Sequence, residues 1–281
     1  MEILQIPTLR SPVMIAAFGG WNDAGEAATG AISHILASWP AVKVAQVEPE
    51  DFYDFQVNRP YITLDENGVR QLTWPSTEVF GIFTPELPFD LVIVKGLEPS
   101  IRWKNFVNEL LDLADDLEVS TLITMGSLLA DTPHTRSIPV SRNGSNPEIA
   151  ERRGLEVSSY EGPTGILGVL QDFSMRRGID AISLWSAIPH YASASPSPKA
   201  TLALINSLED FLTISIPQGD LPIQSQAWQE SIDELAAQES DISEYVRQLE
   251  ESKDAADIPK ATGDSIAKDF ERYLRQKDSD S

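Results

Sequence analysis

The sequence predicts an α/β protein in which helices cover both faces of a parallel or mixed sheet. Two observations support this prediction. Short, nearly uninterrupted apolar runs, which are typical of buried strands, alternate with segments whose apolar residues recur at helical spacing. Beyond about residue 216 the strand signals stop and only helical patterns remain.

The first strand and the first helix lie close to the beginning of the chain. Residues 13–18 are all apolar and predict a buried strand. Gly19 and Gly20 permit a sharp turn because neither carries a Cβ atom. A helical pattern follows at once, and Asn22 or Asp23 is suited to cap its first turn.

Two strands, a hairpin and a helix are predicted next. Residues 42–47 form a short strand, and the sequence Asp-Glu-Asn-Gly at 65–68 between two strand-like runs predicts a β-hairpin. Residues 90–96 are nearly all apolar, as in a buried parallel strand. Residues 101–117 have helical periodicity.

The second half of the sheet follows the same alternation. Its predicted elements are a strand at 121–125 that ends in a turn at Gly126, a short strand at 155–162, a helix from about Thr164, a strand at 181–191, and a helix at 197–212.

A Pro- and Gly-containing linker begins near residue 216 and separates two predicted regions. Residues 1–216 form the α/β domain, and residues 217–281 form a C-terminal helical extension that packs on the domain or on a partner subunit. Three apolar stripes indicate amphipathic helices in this extension. They contain Trp228, Ile232 and Leu235 in the first, Ile242, Tyr245, Val246 and Leu249 in the second, and Ile266, Phe270, Tyr273 and Leu274 in the third.

Composition limits the classes of function. Of the 281 residues, 42% are hydrophobic, which is enough for a core, and the net charge of −22 disfavours binding to nucleic acid or to an anionic membrane. The chain has no cysteine, so thiol catalysis and thiolate metal sites are ruled out. We expect no signal peptide, no membrane-spanning helix and no cofactor, and therefore a cytoplasmic location.

Polar residues follow two of the predicted strands and are candidates for a site. Asn22 and Asp23 follow the first strand; Asp23 could act as an acid or base, or both residues could simply cap the helix. The segment 130–136 offers Asp131, His134 and Arg136, a carboxylate, an imidazole and a guanidinium. These could serve acid–base chemistry and anion binding, or could only stabilise a polar loop.

Two further loops contribute candidates. Gly162, Thr164 and Gly165 precede a predicted helix whose N-terminus could hold a phosphate or carboxylate, although glycines also serve tight packing. His190 follows a later strand and could approach His134. Two histidines from distant loops are a poor metal signature, so we predict no metal site, and no Gly-x-Ser-x-Gly elbow is present.

Five segments together resemble one protein family. They are GWNDAG at 20–25, LLADTPHTR at 128–136, YEGPTGILGVL at 160–170, LWSAIPHYASASPSPKA at 184–200 and YVRQLE at 245–250. In this order they are similar to the actinobacterial branch of the proteasome-assembly-chaperone-like family, and the resemblance spans nearly the whole chain.

The resemblance implies a three-layer α/β/α domain with a mixed sheet, similar to the phosphorylase/hydrolase-like fold, and a helical C-terminal addition. It also implies a homo-oligomer and a possible protein partner. Several relatives that engage the proteasome end in a hydrophobic-Tyr-x tail. This chain ends in Asp-Ser-Asp-Ser, so we expect no engagement through such a tail.

The sequence therefore favours a non-enzymatic, oligomeric binding or assembly-chaperone-like protein. The alternative is an enzyme that acts on a small nucleoside-like, phosphorylated or peptide substrate at the C-terminal edge of the sheet. Its candidate catalytic residues are Asp23, Asp131, His134 and His190, and its candidate ligand-binding residues are Asn22, Arg136, Gly162, Thr164 and Gly165.

Overall fold

A computed structural model of the chain describes residues 1–257. Its strands are β1 Glu2–Ile3, β2 Val13–Gly19, β3 Ala41–Gln46, β4 Tyr61–Leu64, β5 Arg70–Thr73, β6 Thr77–Ile82, β7 Leu91–Leu97, β8 Thr121–Ala130, β9 Val140–Gly144, β10 Glu156–Val157 and β11 Asp180–Pro189. Its α-helices are α1 Ala27–Ser38, α2 Pro49–Phe52, α3 Trp103–Asp116, α4 Pro147–Arg153, α5 Ile166–Arg176, α6 Pro198–Leu212, α7 Leu221–Gln238 and α8 Ser240–Asp257. Short 3-10 helices span Ala24–Glu26 and His190–Ala192.

Nine strands form one mixed sheet in the order β1-β3-β6-β7-β2-β8-β11-β9-β10. Strand β2 pairs in parallel with β7 and with β8, whereas β1, β3 and β6 join the sheet through antiparallel pairs. The first six residues of β2 and the first four of β7 are buried, which explains their apolar sequences. The predicted α/β class with a mixed sheet and C-terminal helices is confirmed.

The chain divides into two compact units. Among the described residues, the first unit comprises 1–23, 32–126 and 142–183, and the second comprises 24–31, 127–141 and 184–257. Each unit draws on several separate stretches of sequence. The division into residues 1–216 and 217–281 stays a prediction.

The core of the first unit contains a group of aromatic rings. Phe106 of α3 meets Phe18 of β2 edge to face, with centroids 5.7 Å apart, and meets Phe52 of α2 at 5.4 Å. All three rings are fully buried. Burying a side chain of this size contributes about 1.5–3 kcal/mol, so the apolar face of α3 is well anchored.

Most predicted elements are present, and the differences have physical reasons. The hairpin forms as β4 and β5, joined by the turn that begins at Asp65. The turn expected at Gly126 is wrong, because β8 continues through that residue to Ala130. Of the strand expected at 155–162 only β10 forms. The sequence patterns missed β1, β6, β9, α2 and α4.

The third apolar stripe, at Ile266, Phe270, Tyr273 and Leu274, lies outside the described residues. Among residues 1–257, no helix combines the length and the apolar character that crossing a bilayer requires.

Candidate functional site

In the first unit, the ends of β2 and β7 meet the beginning of α5 at one carboxylate. The Glu98 backbone N–H donates to the Gly19 carbonyl at 2.9 Å, which fixes Glu98 beside the turn after β2. Its Oε1 atom accepts hydrogen bonds from Asn22 Nδ2 at 2.9 Å and from the Ile166 N–H at 2.8 Å. Glu98 therefore occupies the place at the α5 N-terminus where an anion would bind.

This arrangement requires glycine at position 165. A Cβ atom on Gly165 would lie 2.3 Å from Asn22 Oδ1 and 2.4 Å from Asn22 Nδ2. The Asn22 side chain cannot move away freely, since the residue is only 1% exposed. Two candidates from distant parts of the sequence, Asn22 and Gly165, are thus in direct proximity.

The other candidates of the first unit have local roles in their loops. Asp23 is buried, and its backbone N–H donates to the Gly20 carbonyl at 3.1 Å. Gly162 and Thr164 lie in the loop before α5, where the Tyr160 hydroxyl donates to the Pro163 carbonyl at 2.8 Å. Their role in ligand binding remains a prediction.

In the second unit, His134 is held in a chain of hydrogen bonds. The Tyr191 hydroxyl accepts the His134 backbone N–H at 2.8 Å and lies 2.8 Å from Nδ1, while Nε2 lies 3.0 Å from Asp233 Oδ1 on α7. Because the Tyr191 hydroxyl still has its own proton to give, it donates to Nδ1. The Nε2 atom then carries the imidazole proton and donates to Asp233.

Burial controls the protonation of this chain. His134 is 1% exposed, and burial lowers its pKa against the opposing effect of the Asp233 hydrogen bond. Burial raises the pKa of Tyr191 to about 12. At neutral pH the histidine is therefore neutral and the tyrosine protonated, which are the forms that this chain of hydrogen bonds requires.

Asp131 and His190 form a second, exposed pair in the same unit. Asp131 Oδ1 lies 3.2 Å from His190 Nδ1 and accepts the Tyr245 hydroxyl of α8 at 3.0 Å. The centroid of the Tyr245 ring lies 5.4 Å from that of His190 and 6.0 Å from that of Tyr191, with interplanar angles of 66° and 89°. These edge-to-face contacts add packing between α8 and the loops after β8 and β11.

Arg136 binds two carboxylates of α8. Its Nε and Nη2 atoms donate to the two oxygens of Asp254 at 2.9 and 2.8 Å, and Nη1 donates to Glu250 Oε1 at 3.1 Å. The hydrogen bond to Asp254 is the main cause that raises the pKa of Arg136. The guanidinium is thus already engaged in a bidentate carboxylate pair, which is also how it would hold an anionic ligand.

Lys199 links the same loop to two helices. From α6, its Nζ donates to the His134 carbonyl and to Gln229 Oε1 of α7. Burial lowers the pKa of Lys199. We call the set Asp131, His134, Arg136, His190, Tyr191, Lys199, Asp233, Tyr245, Glu250 and Asp254 the strand-end cluster.

Several of these residues were not found from the sequence. Glu98 follows β7 directly, so the reasoning that selected Asn22 after β2 would have selected it as well. Asp233 and Asp254 are exposed residues of α7 and α8, Glu250 of α8 is half-buried, and only the helix packing reveals the partners of all three. Within the part of the chain that the structure describes, no group of three or more metal-ligating side chains could hold an ion.

Comparison with known proteins identifies relatives along most of the chain. The profile of the PAC2 family matches residues 17–236. No curated protein matches the sequence.

Solved structures of similar proteins include two from actinobacteria. A PAC2 family protein from Streptomyces avermitilis is 51% identical, with a TM-score of 0.78 over 84% of this chain and 99% of that one. A proteasome-assembly chaperone homologue from Mycobacterium tuberculosis is 45% identical, with a TM-score of 0.76 over 83% of this chain and 99% of that one. An archaeal proteasome activator from Pyrococcus furiosus is 19% identical and shares the fold, with a TM-score of 0.67 over 83% and 96% of the two chains.

Proposed function

The chain belongs to the PAC2 family, the proteasome-assembly-chaperone-like proteins, and from this premise we propose that it is a non-enzymatic binding protein. It works as a homo-oligomer and escorts or assembles a protein partner. The similar protein from Mycobacterium tuberculosis, described as a proteasome-assembly chaperone homologue, supports proteasome subunits as the class of partner.

One observation supports this proposal above the others. The polar groups after β8 and β11 bind the C-terminal helices: His134 contacts Asp233 of α7, Asp131 contacts Tyr245 of α8, and Arg136 contacts Asp254 of α8. Residues that an enzyme would present to a substrate here hold two helices in place. Such helices are a common means of presenting a binding surface to another protein.

Electrostatics point in the same direction. A general base works best when its pKa lies near the working pH, and a tyrosine nucleophile requires a lowered pKa. Burial raises the pKa of Tyr191 to about 12 and lowers that of His134. Both shifts favour the neutral forms, which suit stable hydrogen bonds that link His134 to Tyr191 and to Asp233 of α7.

Native mass spectrometry of untagged protein purified from its own cells tests the proposal. We expect a homo-oligomer that carries a protein partner in fixed stoichiometry at low salt. Proteasome α-subunits can then be mixed with the purified protein as a direct binding test. Recovery of the homo-oligomer alone at every salt concentration, with no binding to the subunits, would contradict the proposed role.

The enzyme alternative is kept because the chain Tyr191–His134–Asp233 has the connectivity of an acid–base relay. Under this alternative the protein turns over a small nucleoside-like, phosphorylated or peptide substrate. Loss of turnover in His134→Gln, with the oligomer intact, would favour it. If wild type and variant turn over such substrates equally, or not at all, the result favours a structural role for His134 in holding α7.

A further inference from the structure

The hairpin of β4 and β5 in the first unit has no role in the interactions described so far. It forms a two-stranded sheet separate from the nine-stranded sheet. All eight residues of its strands are exposed to solvent. We call residues 61–73 the arm. An isolated two-stranded hairpin is marginally stable in water, so a second surface is expected to cover it.

One face of the arm carries three apolar side chains together with Arg70, which lies opposite Leu64. In the register of the hairpin Ile62 lies opposite Leu72, and Leu64 lies two residues further on the same side of its strand. These three side chains are 52%, 53% and 67% exposed. Clustered exposed apolar side chains of this kind mark interaction sites rather than ordinary surface.

The arm also differs from the rest of the chain in charge. Residues 55–75 contain two arginines, Arg59 and Arg70, and two carboxylates, Asp65 and Glu66, so this segment is neutral in a chain of net charge −22. Neither arginine forms an ion pair among the described residues. A second, equally acidic copy could therefore approach here without the repulsion that the rest of the surface would cause.

The base of the arm carries an apolar cavity and several carboxylates, which complement the apolar side chains and the arginine of the arm. A cavity of about 510 Å³ lies there, lined by apolar groups of Val47, Pro49, Leu72 and Trp74 together with the carboxylates of Glu48, Glu50 and Glu78. Glu78 already pairs with Lys43 at 2.5 Å. Glu48 and Glu50 are exposed and form no ion pair within residues 1–257.

We infer that the arm of one copy docks against the arm base of a second copy of this chain. The exposed side chains of Ile62 and Leu64 pack over the partner's cavity, and Arg70, which pairs with Leu64 in the hairpin, lies near the partner's Glu48 and Glu50. The free strand edges of the arm add backbone groups that a second chain can pair with. This inference rests on the proposed homo-oligomer and names the surface that forms it.

Charge reversal and rescue test the contact. Arg70→Glu is expected to weaken self-association roughly tenfold, since an attraction at an interface rim becomes a repulsion. Adding Glu48→Arg and Glu50→Arg to that variant should restore association. Lys104→Glu reverses an exposed cation on α3 and serves as the matched control, with no change expected. Sedimentation equilibrium over a range of concentrations measures each affinity.

Removal of the apolar face gives a second, independent measurement. The double variant Ile62→Ser/Leu64→Ser should weaken association roughly a hundredfold or more, because apolar area returns to water in every contact. Since both positions are exposed, thermal melting by circular dichroism is expected to match wild type in the dissociated state.

The absence of cysteine permits a geometric test. When the single variants Asn67→Cys and Glu50→Cys are mixed and mildly oxidised, a disulfide between the two variants should form, whereas Asn67→Cys mixed with Lys104→Cys should give none. If wild type associates but no arm variant weakens it, the inference is wrong and the oligomer of the proposed function stands. If wild type is monomeric at every concentration, both the inference and the proposed oligomer fail.

Discussion

Removal of the Glu98 side chain is expected to destabilise the first unit by a magnitude that follows from its contacts. Glu98 Oε1 is the acceptor for Asn22 Nδ2 at 2.9 Å and for the Ile166 N–H at 2.8 Å. Glu98→Ala leaves both donors without this partner. An unsatisfied buried donor costs about 1–3 kcal/mol, and loss of a carboxylate at a helix N-terminus costs about 0.3–1 kcal/mol more.

Glu98 is only half-buried, so water can replace part of what is lost. We therefore expect the free energy of unfolding to fall by about 2–4 kcal/mol. For a chain of this size that corresponds to a decrease in melting temperature of roughly 5–15 °C. Glu98→Gln retains one oxygen able to accept both bonds and should show about half of the loss.

Urea unfolding followed by circular dichroism measures the change, and hydrogen exchange of the Ile166 amide reports it locally. Glu161→Ala is the matched control, because it removes an exposed carboxylate from the neighbouring loop and should change stability by less than about 0.5 kcal/mol. A Glu98→Ala variant as stable as this control, with unchanged Ile166 exchange, would refute the role of Glu98 as the acceptor that holds the α5 N-terminus.

Three further predictions concern single residues. Gly165→Ala should lower stability by about 1–3 kcal/mol, since its Cβ would lie 2.3 Å from Asn22 Oδ1, and Asn22→Ala should relieve part of that loss in a thermal double-mutant cycle. Burial lowers the pKa of His134 in the folded protein, so the unfolded chain binds the proton more readily. The free energy of unfolding should therefore fall as the pH drops below about 6.5. In urea titrations at several pH values, His134→Gln should reduce this dependence on pH. Burial alone would raise the pKa of Asp90, but hydrogen bonds from Arg10 and Thr84 outweigh it and lower the pKa to about 2. The resulting stabilisation of about 2 kcal/mol is present above about pH 4 and is lost as the pH falls towards about 2. Asp90→Asn should remove this pH dependence from acid-unfolding curves.

The strands and their polar ends could be predicted because they depend on local patterns. A buried parallel strand is apolar along its length, and the first polar residues after it lie at one edge of the sheet. This reasoning selected Asn22 after β2 and Asp131 after β8. The same reasoning failed at Gly126, because a glycine ends a strand only when its backbone turns, and Gly126 remains within β8.

The partners of these residues could not be predicted. Whether His134 meets a metal, a substrate or another side chain depends on how α7 packs, and the periodicity of a helix shows which residues share a face but not what that face contacts. Asp233 lies on α7 ninety-nine positions after His134 in the sequence. Its role follows only from the fold.

The strand-end cluster connects the strand ends to the surface that the C-terminal helices present. Its main bonds hold α7 and α8 at several points. His134 binds α7, Arg136 and Asp131 bind α8, and Lys199 of α6 binds both the His134 loop and α7. Breaking one bond leaves the others, so a single substitution should loosen one helix rather than unfold the unit. Polar residues at strand ends can therefore be important without touching a ligand, because they determine the positions of the C-terminal helices.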